Sequence, residues 1–415
     1  MKYTLFILLL LAIIIGGLYP INLGIMRGIT PKTLLMYAIL IYILFSEAAK
    51  KNLHRKKIPC ISSLLIFLTI LCVSIALNVL LGRMDMSLFD QIRQLRYRFI
   101  EPVVLYILMF LLIDTASQAR KFLQAGIVLF VLVNVAAFIA MRAGVLNLPT
   151  VSGDLYSGRY TGTFANPNQM AYFFCFLMPI TYHMITTAEI KTAGALQMLA
   201  LASEIAFILM SGSRGGILAM VIVLGWITIH HKDFKTVAFL FIFGTVFIAI
   251  GFLVHNDILR SSFDRIAQQT FSNNVKTISA GRSSIWLGLE KIYLSNIYYV
   301  FMGTGFETAR FQLAKHTGIL LPPHNLYLQI LVELGLIGFA AWLFMLRSFW
   351  KFLNISGQRT EFSKATVTAL SVLLLAWSFS DLGRILRFIA IMVGIMFSMI
   401  VHDKDTVKKT MGKSA

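Results

Sequence analysis

The chain of 415 residues contains few charged residues and few cysteines. Charged residues make up 13% of it, whereas they make up about a quarter of a typical soluble domain. Three cysteines, Cys60, Cys72 and Cys175, have neither metal-ligand spacing nor the even number of a disulfide framework. Internal repeats and low-complexity tracts are also lacking. A soluble globular domain, a disulfide scaffold and a cysteine-based metal module are therefore excluded.

Apolar residues predominate in the chain. Hydrophobic residues make up 58% of the chain, and the mean hydropathy is +0.79. Apolar runs of about 17–25 residues recur roughly twelve times, and each is long enough to cross a bilayer as a helix. The sequence therefore predicts an all-α integral membrane protein with about 12 transmembrane helices, in which residues 1–415 form a single polytopic domain.

The longest connection between predicted spans is the loop 255–324, which separates spans nine and ten. Ile285, Trp286 and Leu289 recur in it at helical spacing, as do Phe311 and Ala314 further along. This pattern predicts short amphipathic helices that lie on the membrane surface.

Basic residues exceed acidic ones by 37 to 18, which gives a formal charge of +19. No basic patch is interleaved with a soluble aromatic platform, so nucleic acid is not an expected partner. Membrane lipids are the expected one, because anionic headgroups attract such charge. The densest cationic cluster, residues 50–57, is expected in the cytoplasm, which places both termini there.

Lysine and arginine divide between the two predicted faces. The cytoplasmic face takes most lysines, together with Arg55, Arg120, Arg347 and Arg359. The opposite face is rich in arginine and has few lysines. The usual excess of basic residues in cytoplasmic loops explains the lysines, but it does not explain the arginines on the opposite face. Arginine is the side chain that holds phosphate with a planar, bidentate fork. We therefore expect a site for a phosphorylated ligand on the non-cytoplasmic face.

Two of these arginines lie beside glycine. Arg214 occurs in a turn with Gly212, Gly215 and Gly216, and Arg282 follows Gly281 at a helix start that is expected to be capped by serine. Glycines let backbone amides approach a ligand, and a helix N-terminus attracts anions. The alternative for each is an interfacial arginine without chemistry.

His324 follows two prolines and precedes Asn325, a good N-cap for the next predicted span. Histidine is the side chain best suited to act as a base near neutral pH. A helix N-terminus and neighbouring arginines both disfavour the imidazolium, so we expect a neutral ring that can accept a proton. The alternative is a capping or interfacial histidine.

Acidic candidates are few. Asp381 and Arg384 share the last outer turn, where the acid could orient a histidine or an arginine, or simply form an ion pair. Glu204 and Glu333 lie inside predicted spans, where an ionisable group is either functional or a buried hydrogen-bonding partner for an arginine.

No carboxylate pair with metal-ligand spacing occurs on the outer face, so no metal and no cofactor is expected there. Arg93, Arg96 and Arg98 are interpreted as contacts to lipid headgroups.

Five segments together resemble the O-antigen ligase and polymerase superfamily of bacterial polysaccharide enzymes. They are residues 158–168 (GRYTGTFANPN), 213–216 (SRGG), 280–282 (AGR), 303–306 (GTGF), and 323–325 (PHN) with 333–338 (ELGLIG). Each is weak alone, but their order and spacing over residues 155–390 are specific.

The resemblance implies a GT-C-type, metal-independent, inverting glycosyltransferase of the bacterial inner membrane. Such a ligase transfers a glycan from undecaprenyl pyrophosphate to lipid A–core on the periplasmic side. By this resemblance His324 is the base, Arg214 and Arg282 clamp the pyrophosphate, and Asp381 is a further catalytic residue. The resemblance implies substrate-binding roles for a second set: Arg159, Asn166, Arg265, Asn325 and Arg384.

Two other functions stay open. A polymerase of the same superfamily would extend a lipid-linked O-antigen or exopolysaccharide with the same donor chemistry. A transporter of lipid-linked sugars would also need many spans, although transporters commonly consist of two repeated halves and this chain has no repeat.

Overall fold

The computed structural model describes residues 2–18, 31–45, 57–83, 85–145, 159–164, 166–253, 257–270, 281–318, 320–355, 360–378 and 385–411. Within these ranges the chain is helical and has no β-strand. The helices are α1 (Lys2–Leu18), α2 (Pro31–Phe45), α3 (Ile61–Leu80), α4 (Leu88–Leu95), α5 (Glu101–Leu112), α6 (Ala116–Arg142), α7 (Pro167–Thr186), α8 (Lys191–Met210), α9 (Arg214–His231), α10 (Phe234–Leu253), α11 (Asp257–Thr270), α12 (Arg282–Leu294), α13 (Ile297–Met302), α14 (Ala309–Thr317), α15 (Leu326–Ile355), α16 (Glu361–Trp377) and α17 (Ile385–Met411). A π-helical turn, Arg96–Ile100, joins α4 to α5.

Six of the described helices are long and apolar enough to cross a membrane: α3, α6, α8, α9, Leu326–Asn354 of α15 and Ile385–His402 of α17. Shorter apolar segments occur in α1, α2 and α10. The predicted all-helical membrane fold is therefore confirmed. The number of about twelve spans and the GT-C arrangement stay predictions.

Helix α7 lies at the centre of the helix assembly. It packs against α6, α8, α9 and α16, and nearly all of its side chains are buried. Its sequence is apolar and aromatic on every face, which is typical of a helix that is surrounded by others. A Cβ added at Gly216 of α9 would lie 2.5 Å from the Cβ of Ala171, so glycine allows the start of α9 to approach α7 closely.

Helix α15 is kinked at Gly335, where φ is 63° and ψ is −167°. The carbonyls of Val332 and Glu333, which precede the kink, accept hydrogen bonds from the amides of Thr304 (2.8 Å) and Gly305 (2.9 Å). Backbone groups in an apolar environment must be paired, and the 303–305 loop supplies these partners. The kink therefore joins two of the sequence motifs, GTGF and ELGLIG, in one contact.

The segment that follows the 303–305 loop also binds the side chain of Glu333. Its carboxylate accepts hydrogen bonds from the amides of Glu307 (3.0 Å) and Ala309 (3.3 Å). Glu204 accepts one from the hydroxyl of Thr181 (2.7 Å). Both acids are therefore buried and hydrogen-bonded, but these bonds come from backbone amides and a hydroxyl and not from the arginine that the sequence-based alternative expected.

The arginines at residues 93–98 differ from the lipid-headgroup interpretation. Arg98 Nη1 lies 2.9 Å from a carboxylate oxygen of Glu307, and Arg96 Nε lies 3.4 Å from one of Glu101. Both carboxylates are buried. The interpretation is wrong for these two arginines, because each pairs with a buried carboxylate of the protein, and a buried charge favours such a partner. Arg93 is more exposed and pairs with Asp90 at 2.7 Å.

The stretch 255–324 contains the short helices α11, α12, α13 and α14. The helical spacing of Ile285, Trp286 and Leu289 is confirmed, because all three lie in α12. Leu289 of α12 and Leu313 of α14 belong to a small hydrophobic cluster of their own, together with Val332 of α15. Helices α12, α13 and α14 thus pack on α15, whereas α11 packs on α8 and α10. Their location on the periplasmic surface stays a prediction.

Candidate active site

The predicted turn between α8 and α9 consists of Ser211, Gly212 and Ser213. Gly212 has φ +57°, and a Cβ there would lie 3.0 Å from the side chain of Ser262. Ser213 caps α9, since its hydroxyl accepts from the amide of Gly216 at 3.2 Å. Ser262 of α11 donates to the carbonyl of Met210 at 3.1 Å. The turn is therefore held against α11, which also carries Arg265.

Four of the arginines that were predicted as site residues line one small cavity at this turn. The cavity has a volume of about 40 Å³, which is several times the roughly 10–15 Å³ that a single water needs. None of the described residues that line it is acidic. The lining residues are Arg159, Asn168, Tyr172, Gly212, Ser213, Arg214, Gly215, Arg265 and Arg282. We call this cavity the arginine pocket.

Three helices begin at the arginine pocket. Arg214 is the first residue of α9, Arg282 is the first of α12, and Asn168 is the second of α7. The N-terminal end of a helix carries a partial positive charge and amides without helical partners. Arg265 and Arg282 also repel the charge of Arg214. The electrostatic potential in the pocket is therefore strongly positive, which suits the binding of a multiply charged anion.

The start of α12 differs from prediction in one detail. Gly281 is the N-cap, with φ 78°, and the helix begins at Arg282 without a side-chain cap. Ser283 and Ser284 lie inside the first turn instead of capping it. Glycine adopts this left-handed conformation without cost, and it places the guanidinium of Arg282 at the helix end.

Gly215 is packed against Tyr172. A Cβ at Gly215 would lie 2.2 Å from the hydroxyl oxygen of Tyr172 and 3.2 Å from the ring. Tyr172 is buried and its hydroxyl forms a hydrogen bond with Ser213. Glycine is therefore needed at this position for α7 and α9 to meet at the pocket.

We expect Gly215→Ala to destabilise the protein, because the methyl group overpacks this contact and overpacking typically costs about 1–3 kcal/mol. Gly225→Ala is the matched control on the same helix: nothing lies within 4 Å of a Cβ there. In a helix interior, alanine is favoured over glycine by roughly 0.5–1 kcal/mol. Thermal unfolding of the detergent-purified variants measures both. Equal shifts in Tm would contradict the close contact.

Arg159 is the most buried of the four arginines. Its Nε donates to the carbonyl of Ser211 at 2.6 Å, and its Nη2 donates to Oδ1 of Asn168 at 2.9 Å. Arg159 therefore fixes the turn to α7 as well as lining the pocket. Asn166 does not line the pocket, since its Oδ1 accepts from the amide of Gln169 at 2.8 Å and caps α7.

His324 does not line this pocket, but its neighbour in the chain is hydrogen-bonded to the helix that carries Arg282. The carbonyl of the preceding Pro323 accepts a hydrogen bond from the indole of Trp286 at 3.0 Å, and Trp286 is one helical turn after Arg282. His324 has φ 51°, which is uncommon for a residue with a side chain. Strained backbone of this kind clusters at functional sites.

The next residue, Asn325, caps α15 as predicted. Its Oδ1 accepts from the amide of Leu328 at 3.0 Å. The imidazole therefore stands at the N-terminus of α15, as the sequence indicated.

A larger, mostly apolar cavity of about 260 Å³ lies among α3, α5, α15, α16 and α17. Leu326 and Gln329, from the first turn of α15, belong to its lining, and Leu326 is two residues after His324 in the chain. Arg98, Glu307 and Glu333 supply most of its remaining polar lining. Its volume and character are close to those of small-molecule or lipid-tail pockets.

Two of the predicted site residues do not enter this description of the pocket. Asp381 and Arg384 lie outside the described residues. Asn168, Tyr172 and Ser213 line the pocket but were not predicted as site residues. The spacing of Asn168 and Tyr172, four residues apart at the start of a helix, places them on one face and could have indicated them.

Residues 198–343, about a third of the chain, match the family model described as O-antigen ligase. The match includes Arg214, Arg265, Arg282 and His324, and it leaves out Arg159. A search of curated proteins gives no significant match. With the apolar helices, the family indicates a multi-pass inner-membrane enzyme of O-antigen processing. The match therefore confirms, over residues 198–343, the resemblance that the motifs carry to the O-antigen ligase and polymerase superfamily.

Proposed function

We propose that the protein is an O-antigen ligase, which transfers a polysaccharide from undecaprenyl pyrophosphate to lipid A–core on the periplasmic face of the inner membrane. The convergence of four arginines and three helix N-termini in the arginine pocket is the observation that carries this proposal. Pyrophosphate is the leaving group of such a donor, and its charge increases as the sugar departs.

The arginine pocket supplies the stabilisation that this step needs. Preorganised donors at the oxygens where charge develops typically contribute a few kcal/mol each. Arg214 and Arg282 are the proposed clamp, and Arg159 and Arg265 bind beside them. Because cations of the protein neutralise the pyrophosphate, the transfer needs no metal ion.

His324 is the proposed general base. In the reaction, the acceptor hydroxyl gives its proton to the imidazole while its oxygen forms a bond to the anomeric carbon. The bond from that carbon to the pyrophosphate oxygen breaks, and undecaprenyl pyrophosphate leaves with the electron pair. Attack from the opposite side inverts the anomeric centre.

The other predicted residues have supporting roles in this proposal. Asp381 orients His324 or a pocket arginine, and Arg384 contacts the anionic substrate from the same turn. Asn325 and Asn166 act through the helix starts that they cap. The apolar cavity beside α15 receives part of a substrate lipid tail, because its lining is mostly apolar and includes Leu326, which follows Asn325.

A deletion strain tests this assignment against its nearest alternative. Loss of a ligase leaves the polymerase intact, so we expect long undecaprenyl-linked polymer to accumulate while lipopolysaccharide lacks O-antigen. Accumulation of single repeats alone would assign polymerase activity instead. If the purified protein moved lipid-linked sugar across vesicles without forming glycosidic bonds, a transporter would replace both.

A further inference from the structure

A second group of potential ligands lies at the end of α9 that is opposite to the arginine pocket. His230 and His231 are the last two residues of α9, and Glu361 is the first residue of α16. One ligand atom from each lies within 4.8 Å of the other two. The group belongs to none of the motifs that indicated the family.

The distances in this group are too long for hydrogen bonds and close to those around a metal ion. His230 Nε2 lies 3.8 Å and His231 Nδ1 lies 3.9 Å from the same oxygen of Glu361, Oε2. Hydrogen bonds of this type are about 2.7–3.2 Å long. Ligand atoms of a tetrahedral zinc ion, bound at about 2.0–2.1 Å, lie roughly 3.4 Å apart. Each histidine–glutamate distance would have to shorten by roughly half an ångström to form such a site, and all three ligand atoms lie within 4.8 Å of one another.

The surroundings leave these atoms directed at one another. Lys364 Nζ donates to the other oxygen of Glu361, Oε1, at 2.6 Å, so Oε2 remains toward the histidines. Trp226 stacks on the ring of His230 and meets the ring of His231 edge-on, which restrains both imidazoles.

The local charge is compatible with a cation. The groups that act electrostatically on His231 are Glu361, His230, Lys364 and Asp233. Two carboxylates therefore stand against one ammonium group. Asp233 is itself held by the hydroxyl of Tyr182 (3.0 Å) and the amide of Thr236 (3.0 Å).

We propose that His230, His231 and Glu361 bind one divalent cation of borderline softness, of which Zn²⁺ is the representative. Two imidazoles and one carboxylate suit zinc, whereas magnesium and calcium prefer oxygen ligands alone. Water completes the coordination, because His230 and Glu361 are both partly exposed. The ion connects the end of α9 to the start of α16, two helices that also pack together.

This site is separate from the proposed reaction. Helix α9 has 18 residues and rises about 1.5 Å per residue, so its two ends are roughly 27 Å apart. The ion therefore stabilises the helix pair and takes no part in glycan transfer, and the inference does not rest on the proposed function.

Zn²⁺ titration of the detergent-purified, chelator-treated full chain tests the inference. We expect one ion to bind per chain and Tm to rise on binding, because a ligand that binds the folded state stabilises it. Co²⁺ in place of Zn²⁺ should give the visible absorption of a tetrahedral site. Glu361→Gln and His231→Ala should each weaken binding by more than the roughly 10–100-fold that loss of an outer-shell partner costs.

His316→Ala is the control, since His316 is exposed on α14 and far in sequence from the cluster. It should leave Zn²⁺ affinity unchanged. Unchanged affinity in Glu361→Gln and His231→Ala, or no rise of Tm with Zn²⁺, would overturn the site and leave a histidine–glutamate ion pair only. Transfer activity in EDTA is a separate readout when it is measured in Glu361→Gln, which lacks the site: its loss there would contradict the arginine clamp and not this site.

Discussion

Replacement of His324 by alanine is expected to abolish glycan transfer while the protein still folds and inserts. A positioned general base contributes roughly 10²–10⁴-fold to a rate. Because the arginine pocket remains intact, the variant should still bind the donor. Transfer from a defined lipid-linked donor to lipid A–core in vitro measures the loss.

The position of His324 supports this size of effect. Pro323 is tied to Trp286 of α12, and Asn325 caps α15, so both neighbours of His324 in the chain are fixed. A side chain held in this way is preorganised, which is what a base needs to meet the acceptor hydroxyl.

The backbone of His324 calls for a second variant. At φ 51°, alanine is strained, whereas asparagine is enriched in this conformation. His324→Asn therefore preserves the local fold but cannot act as a base near neutral pH. We expect both variants to be inactive and the asparagine variant to match the parent Tm. Near-normal transfer by His324→Asn, or an equal loss in the control His316→Ala, would remove His324 as the base.

Lysine in place of Arg214 or Arg282 is the second large effect that we expect. Each should lower transfer by roughly 10²–10³-fold, the cost of losing one preorganised donor to a developing oxyanion. Lysine keeps the charge, but it cannot offer two parallel N–H donors in a plane. Full activity with lysine would show that charge alone suffices.

Inorganic pyrophosphate separates binding from chemistry in these variants. Added pyrophosphate should raise the Tm of the parent, because it binds the folded pocket. The shift should be smaller in Arg214→Lys and Arg282→Lys. Arg93→Lys is the matched control, since Arg93 is exposed and pairs with Asp90. It should keep both the full shift and full transfer. Parent-like shifts in the pocket variants would contradict pyrophosphate binding there.

Much of the fold follows from local sequence. Apolar runs of bilayer length form helices because only helices and closed barrels pair their own backbone groups in lipid. The cap of α15 at Asn325 and the glycine turn before Arg214 are equally local, since each needs only neighbouring residues. The helix boundaries are less local: α15 has 30 residues, Leu326–Ile355, and is longer than the apolar runs of about 17–25 residues in the sequence.

At the candidate site, the contacts between residues distant in sequence could not be predicted. Arginine enrichment on one predicted face indicated a phosphate ligand, and the motifs indicated Arg214, Arg282 and His324. Nothing local indicated that Arg159 would bond the carbonyl of Ser211, 52 residues away. The headgroup interpretation of Arg98 was wrong for the same reason, since its partner Glu307 is distant in sequence.

The sequence by itself determined an all-helical membrane fold and a resemblance to the O-antigen ligase and polymerase superfamily, together with most of the residues that we propose for the chemistry. Tertiary structure alone decided that Arg159, Arg214, Arg265 and Arg282 meet at one cavity, and that two histidines of α9 face Glu361 of α16. The physical reason is that these interactions act over different distances along the chain. Hydropathy and capping act within a few residues, whereas the meeting of helix ends depends on how closely glycine-bearing surfaces such as Gly215 and Gly216 let α9 pack on α7.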